Sequence, residues 1–381
     1  MDVKLFVDTL ERELGADSYY GVPDSLLRAF TDEIVERYGF SAQHVVAADE
    51  GGATALAAGH YLATGKPAVV YMQNSGIGNA VNPIRSLLNE EVYGIPALFV
   101  VGWRGEPGVH DEPQHVFQGK CSRDLLESIG LSVDIVSKET TEGDMVEMME
   151  RINARFAEGK SAALLVRSGA LERDVKHSFS QEGPLTRERA VEVAVASLPE
   201  SAAIVSTTGK LSRELFEIRE REGQSHERDF LTVGSMGHSS MIGMGIALAQ
   251  PMRIVAVLDG DGACLMHTGA LAVMASRHPG NVVHVMFNNR AHESVGGMPT
   301  ASCVVNWCGI ALASGYETAV RVENEDALGA AVKDAVASEG PSFIEVVIDT
   351  SSRADLGRPT TSAHDNGRAF QAFLLGDEAG E

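Results

Sequence analysis

The chain has 381 residues and carries 53 Asp and Glu against 31 Lys and Arg, a formal net charge of −22. That balance opposes general affinity for nucleic acid or an anionic membrane surface, and the length favours two cores over one. The four cysteines (Cys121, Cys264, Cys303, Cys308) form no C-x-x-C pair and predict free thiols in a reducing compartment. The acidic start, MDVKLFVDTLEREL, lacks the positive and then apolar character of a secretory leader, and no apolar run reaches the length of a membrane span. The expectation is a soluble cytoplasmic protein whose partner is a small molecule.

Along the chain, short runs rich in Val and Ala alternate with longer stretches of helical character. This is the pattern of buried parallel strands covered by helices. The runs lie at 45–48, 68–72, 97–101 and 162–166, then at 204–206, 254–258, 282–287 and 343–348. They predict an α/β protein of two halves, 1–170 and 187–381, each a mostly parallel sheet flanked by helices. Residues 171–186 are polar, contain Gly183-Pro184 and show no period, so they are assigned as the linker. Thr186 stands where it would cap the helix that opens the second half.

In the first half, Glu50 directly follows an apolar strand and precedes Gly51-Gly52 and an Ala-rich stretch. A carboxylate there is held at a strand end in a poorly hydrated place. The bland alternative is a helix N-terminal acid favoured by the dipole. The next strand runs into the turn Asn74-Ser75-Gly76-Ile77-Gly78-Asn79. After the 97–101 strand, a glycine- and proline-punctuated stretch carries Arg104, His110, His115 and Lys120. Ligands of α/β proteins normally bind at such strand ends, and these are groups that bind anions or move protons near neutral pH. A solvated loop with ordinary charges is the competing reading.

The second half holds the stretch that organises the chain. Gly260-Asp261-Gly262 follows one apolar run, and Asn288-Asn289 follows the next after 25 intervening residues. In a parallel sheet Asp261 and Asn289 can converge on one ion. With the backbone carbonyl of Ala291 they form an all-oxygen donor set of the kind Mg²⁺ prefers. Gly260 and Gly262 allow a diphosphate to approach the backbone. Three decoys fail: Gly76-x-Gly78 and Gly243-x-Gly245 lack the third glycine of a dinucleotide fingerprint, and Gly209-Lys210 is followed by Leu211 where a P-loop needs Ser or Thr. The twelve histidines show no metal-ligand spacing.

The spacing of Gly260-Asp261-Gly262 and Asn288-Asn289 resembles the thiamine diphosphate signature. GVPDSLLRAF (21–30), VGWRGEPGVHDEPQHVFQGK (101–120), TTGKLSRELFEIRE (207–220), GSMGHSSMIGMGIALA (234–249), FNNRAHESVGGMPT (287–300) and RADLGRPT (353–360) are similar to the phosphonopyruvate decarboxylase family. The resemblance spans nearly the whole chain, and sulfopyruvate decarboxylases are close relatives of that family. It implies two thiamine-diphosphate-binding-fold domains, pyrimidine-binding first and diphosphate-binding second. It further implies decarboxylation of 3-phosphonopyruvate to phosphonoacetaldehyde and CO₂, dependent on thiamine diphosphate and Mg²⁺, in the biosynthesis of phosphonate natural products. The alternatives are a sulfopyruvate decarboxylase or another thiamine diphosphate 2-keto acid decarboxylase or carboligase.

By the same resemblance, Glu50 would bond the pyrimidine and Asn74 would lie beside the cofactor. Thr208, Gly209, Ser235, Met236, Gly237, Gly260, Gly262 and Ala263 would line its diphosphate and thiazolium parts, and Asp261, Asn289 and Ala291 would hold Mg²⁺. Met236 would prop the bent cofactor, or be a plain core Met. His110, His115 and His292 are the candidates for proton transfer, with Glu293 beside them. Arg104, His110, His115 and Lys120 are the candidates for binding the substrate anion. The resemblance implies a homo-oligomer with active sites at subunit boundaries. The sequence departs from it at Arg290, where a smaller residue is usual, and at Met298, where Gln is expected.

Overall fold

The computed structural model describes residues 1–111 and 113–376. Glu112, in the 101–120 stretch, and 377–381, the end of the predicted second half, lie outside the described residues. The chain divides into two compact units. One is Met1–Ser178 with Ser294–Met298; the other runs from Phe179 to Glu293 and resumes at Pro299.

The first unit holds strands β1 (Tyr19–Gly21), β2 (His44–Val46), β3 (Val69–Gln73), β4 (Leu98–Gly102), β5 (Ser132–Val136) and β6 (Ala162–Val166). They form one parallel sheet in the order β2-β1-β3-β4-β6-β5. Its helices are α1 (Val3–Leu14), α2 (Arg28–Tyr38), α3 (Glu50–Thr64), α4 (Ile77–Pro83), α5 (Pro113–Ser128) and α6 (Glu142–Ala157). One core, around Phe6, Phe30, Tyr71 and Met149, covers one face of the sheet, and another, around Ala57, Phe99, Val101 and Leu165, covers the other. Burial on both faces explains why the central strands read as unbroken apolar runs. Local signals fix the helix ends: Asp2 caps α1, Gly15 (φ 65°) ends it, and Thr141 and Asp144 form a reciprocal capping box on α6.

The second unit holds β7 (Ala203–Ser206), β8 (Asp229–Leu231), β9 (Val255–Gly260) and β10 (Val282–Asn288). Two two-residue strands follow, β11 (Ala291–His292) and β12 (Met298–Pro299), although Met298 groups with the first unit; then come β13 (Thr318–Val322) and β14 (Ser342–Val347). Its helices are α7 (Arg187–Ala196), α8 (Lys210–Glu222), α9 (Ser239–Ala249), α10 (Asp261–Met266), α11 (Gly269–Arg277), α12 (Trp307–Ser314), α13 (Glu325–Val336) and α14 (Ala363–Leu375). The main sheet, also parallel, has the order β8-β7-β9-β10-β14-β13. That is the order of the first sheet repeated, so one doubly wound plan occurs twice. In each sheet the chain moves outward by one strand and then reverses, which leaves a crevice at the carboxyl ends of β1 and β3, and of β7 and β9. Open α/β sheets bind their ligands at such crevices.

Thr186 caps α7 by accepting from the Arg189 amide, as expected. The predicted 171–186 linker makes contacts at both of its ends. Arg173 pairs with Glu33 and Glu36 in the first unit, and in the second Gln181 N–H donates to Thr350 Oγ1 at 3.0 Å. All four cysteines are free, and no helix among the described residues is long and apolar enough to cross a membrane.

Candidate active site

In the first unit, Glu50 is the first residue of α3, just past β2, and is buried. Asp49 caps the same helix by accepting from Gly52 N–H, which fixes the turn that aims Glu50 inward. The carboxylate lies against Gly76, where a Cβ would sit 2.1 Å from Oε1, so only glycine fits. Asn79 Nδ2 donates to Glu50 Oε2 at 2.7 Å. Burial raises the Glu50 pKa, and the Asn79 bond opposes the rise. Sequence reasoning missed Asn79, although the turn that contains it stands out. Asn79→Ala is therefore expected to move the Glu50 limb of the kcat/KM profile to higher pH by about one unit, the worth of one hydrogen bond to a carboxylate. An unmoved pH–rate profile would show that the bond does not tune Glu50.

Asn74 is also buried, at the end of β3, but its side chain is committed to the protein. Its Nδ2 donates to the Arg104 carbonyl (2.7 Å) and to Ser122 Oγ (2.8 Å), and its Oδ1 accepts from Arg104 N–H (3.2 Å). It braces the loop after β4. The structure adds a buried group that the sequence reading passed over, Asp24 after β1. Its Oδ1 accepts from Gln73 Nε2 at 2.6 Å, its Oδ2 has no partner, and a Cβ at Gly102 would stand 2.2 Å from that oxygen. Burial raises the Asp24 pKa.

The four anion-binding candidates do not form one loop cluster. Arg104 is in the loop after β4, where Nε (2.8 Å) and Nη2 donate to the two carboxylate oxygens of Asp111 and Nη1 donates to Ser25 Oγ at 3.2 Å. Arg104 in turn holds the Asp111 carboxyl below its ordinary range. His115 and Lys120 lie in α5, not in the loop. Five residues at ~100° per residue put them on different faces, His115 half-buried and Lys120 exposed. His110 is exposed in the loop. Burial, then the charge of Arg104, lowers the His115 pKa. The loop packs tightly on α5: Trp103 Nε1 donates to the Gly119 carbonyl, and a Cβ at Gly119 would stand 1.8 Å from the Gly105 carbonyl oxygen.

In the second unit, the turns after β7, β8 and β9 meet. Thr208 Oγ1 accepts from Gly234 N–H at 3.1 Å, and Gly209 (φ 103°) opens α8. Exposed Ser235 takes a left-handed backbone (φ 45°) between Gly234 and Met236. Gly237 packs on the backbone of Ala263, whose carbonyl oxygen would lie 2.9 Å from an added Cβ. At Gly262 the same construction meets Met236 Cε at 3.3 Å and the His292 ring at 3.7 Å. Half-buried Met236 therefore touches this turn and is not a core residue.

Asp261 begins α10 at the end of β9, and Asn289 follows β10, the neighbouring strand. Both are buried. Thr300, which the sequence reading missed, ties Asp261 to the turn that follows Asn289: its Oγ1 donates to Asp261 Oδ2 at 2.6 Å and its N–H to the Arg290 carbonyl at 2.9 Å. Asn289 Oδ1 accepts from Ala291 N–H at 3.0 Å and folds residues 289–291 into a turn. Arg290 holds that turn in the left-handed region (φ 59°), where a bulky residue is unusual, while its Nη2 reaches the Glu182 carbonyl. Met298, the other departure, is fully buried. Asn288, the first of the Asn pair, is structural: it donates to Glu345 and accepts from Ser302.

Burial pushes the Asp261 pKa up to about 7, against the Thr300 bond, and among the described residues no ion pair compensates it. A buried carboxylate at one strand end, with a buried amide at the neighbouring strand end and a backbone carbonyl two residues further on, is a set of hard oxygen donors that fits a divalent ion. Burial lowers His292 to about 4, so its ring is neutral at pH 7. Burial would raise the Glu293 pKa, but Arg187 and Lys210 pair with it and outweigh that effect, so its carboxyl is held below the ordinary range.

Two domain families match, one on each sheet. Residues 3–127 match the N-terminal TPP binding domain of thiamine pyrophosphate enzymes, and residues 207–346 match the C-terminal TPP binding domain. Two such domains with these strand-end clusters define a thiamine pyrophosphate enzyme. The chain is 36% identical over 376 residues to a phosphonopyruvate decarboxylase of Streptomyces hygroscopicus, covering 94% of this chain and 91% of that one. It is 34% identical over 383 residues to one from Streptomyces viridochromogenes, covering 96% and 94%. A sulfopyruvate decarboxylase of Methanosarcina acetivorans is 26% identical over 315 residues, covering 77% and 78%. The chain belongs to the phosphonopyruvate decarboxylase family.

Proposed function

We propose that this protein decarboxylates 3-phosphonopyruvate to phosphonoacetaldehyde and CO₂, using thiamine diphosphate and Mg²⁺, in the cytoplasm and in the biosynthesis of phosphonate natural products. The observation that carries the substrate is the end-to-end match with two proteins named for that reaction. Thiamine diphosphate, when bound, supplies the electron sink that the carbanion left by CO₂ requires and that no side chain offers. The protein's part is to hold, orient and move protons. Glu50, buried and steadied by Asn79, holds or releases a proton at Oε1 or Oε2 beside the pyrimidine. Asp261, Asn289 and the Ala291 carbonyl hold Mg²⁺, which offsets diphosphate charge in an acidic protein. The backbone of 208–209, 235–237, 260 and 262–263 would line the diphosphate, and Met236, which touches the Gly262 turn, would support the cofactor. His292, neutral at pH 7, accepts or relays a proton near Gly262, and His110 and His115 are further candidates on the substrate side. Asn74 acts at one remove, by fixing the loop that carries Arg104. Turnover of phosphonopyruvate, sulfopyruvate and pyruvate, with products identified, tests the assignment; a preference for sulfopyruvate would move the chain to its neighbouring family.

In this reading Arg104 takes the phosphonate, with His110, His115 and Lys120 as the remaining candidates. Asp111 already offsets part of its charge, so the loop presents a fixed guanidinium and not a bare cation. Arg104→Ala should cost about 2–5 kcal/mol of transition-state binding for phosphonopyruvate and far less for pyruvate, which has no anion at that end. An equal loss of kcat/KM for both substrates would make Arg104 a support for the loop.

We further propose at least a homodimer, in which Glu50 of one subunit and the Asp261 cluster of another complete each site. Glu50 lies in one unit and the Asp261 cluster in the other, and the family resemblance implies active sites at subunit boundaries. Light scattering on an active preparation should give at least twice the chain mass, and an active monomer would contradict it.

A further inference from the structure

Beside the Asp261 turn, but pointing into the core, three buried side chains meet that the chemistry above does not use. Asp259 lies near the end of β9, Cys264 in α10 and His284 in β10. Asp259 Oδ2 is 3.4 Å from His284 Nε2 and 3.5 Å from Cys264 Sγ, and Sγ is 3.9 Å from Nε2. We propose that Asp259 Oδ2, Cys264 Sγ and His284 Nε2 form a zinc-binding site, separate from the oxygen donors of Asp261, Asn289 and Ala291.

The geometry suits zinc. A triangle with those sides has its centre about 2.1 Å from each corner, against zinc–nitrogen and zinc–oxygen bonds of roughly 2.0–2.1 Å and zinc–sulfur bonds of roughly 2.3 Å. An ion slightly above the plane meets all three at bonding distance with little movement of the chain. The remaining atoms are already placed for it. Asp259 Oδ1 accepts from Gly260 N–H at 2.9 Å, which leaves Oδ2 for the metal. The Tyr316 hydroxyl is 3.1 Å from His284 Nδ1, so it can accept from Nδ1–H and present Nε2 unprotonated, the outer partner that metal-bound histidines ordinarily have. Among the described residues no fourth His, Cys, Asp or Glu joins the group, which leaves one position open.

Donor type separates the two sites. Thiolate and imidazole donors favour zinc over Mg²⁺, whereas an all-oxygen donor set suits Mg²⁺. On binding, the Cys264 thiol gives up its proton to solvent, and no electrons move. The ion would tie β9, α10 and β10 together on both sides of Asp261 in the chain, fastening the turn from beneath.

The test counts metal. Purified full-length protein is incubated with excess Zn²⁺ and millimolar Mg²⁺, desalted and analysed by elemental mass spectrometry. Wild type should retain about one zinc per chain, Cys264→Ala less than about a tenth of that, and Cys303→Ala, which removes an exposed thiol, as much as wild type. Tyr316→Phe should weaken zinc affinity by about 10-fold, a change that a purely packing role for Tyr316 would not produce. Should Cys264→Ala fail to fold by circular dichroism, cobalt loading of the wild type decides: a thiolate-to-cobalt charge-transfer band supports the site, and its absence overturns it. Wild type without zinc, or Cys264→Ala retaining as much as wild type, also overturns it.

Discussion

Asp261→Asn is expected to abolish decarboxylation and at the same time to stabilise the metal-free protein above neutral pH. The folded carboxyl keeps its proton up to about pH 7, while the unfolded one releases it near its ordinary value of 3.8. Between those values the folded state binds more protons than the unfolded, so metal-free stability falls as pH rises through that window and the loss is complete above it. The shift corresponds to a cost on the order of 4 kcal/mol, which the amide of Asn does not incur. At about pH 8 the variant should therefore melt several degrees above metal-free wild type, and at about pH 4 the two should coincide. Adding Mg²⁺ and thiamine diphosphate should raise the melting temperature of wild type and leave the variant unmoved. A variant that melts with wild type at both pH values, or that keeps full activity, would remove Asp261 from the metal site.

Glu50→Gln should be the most damaging change in the first unit. The amide keeps the shape and can still bond Asn79 or a pyrimidine nitrogen, but it does not exchange a proton as a carboxyl does. Loss of general acid–base catalysis predicts a fall of about 10²–10⁴-fold in kcat. Cofactor affinity, measured by calorimetry, should change little. Activity within a factor of about ten of wild type would make Glu50 the helix N-terminal acid of the bland alternative, serving the dipole of α3.

Both residues were legible for one reason: each follows an apolar run and is followed by glycine or small residues, the mark of a strand end where a turn must be tight. The same logic found the central strands, because burial on both faces makes them continuous apolar runs. It failed where that signature is absent. The strands β1 and β8 have three residues each, and β8 begins with Asp229, a buried carboxylate paired with Arg219. The edge strands β5 and β13 carry Ser132, Asp134, Thr318 and Arg321 on partly exposed faces, so neither reads as apolar.

The sites show the same limit. Asn79 and Thr300 act through side-chain contacts to residues 29 and 39 positions away, which spacing does not reveal. Reading 101–120 as a single loop treats Pro113 as a break, when proline at the first position opens α5 and carries His115 and Lys120 onto a helix. The ion pair of Arg104 with Asp111 was equally hidden, since both charges lie in the same short stretch and nothing in their order shows that one is spent on the other.

The most direct measurement follows phosphonopyruvate by ³¹P resonance with purified protein, with and without thiamine diphosphate and Mg²⁺. The substrate signal should be replaced by that of phosphonoacetaldehyde, one for one with CO₂ released, only when both additions are present. An unchanged phosphonopyruvate signal in the complete mixture, while sulfopyruvate or pyruvate is consumed, would contradict phosphonopyruvate as the substrate.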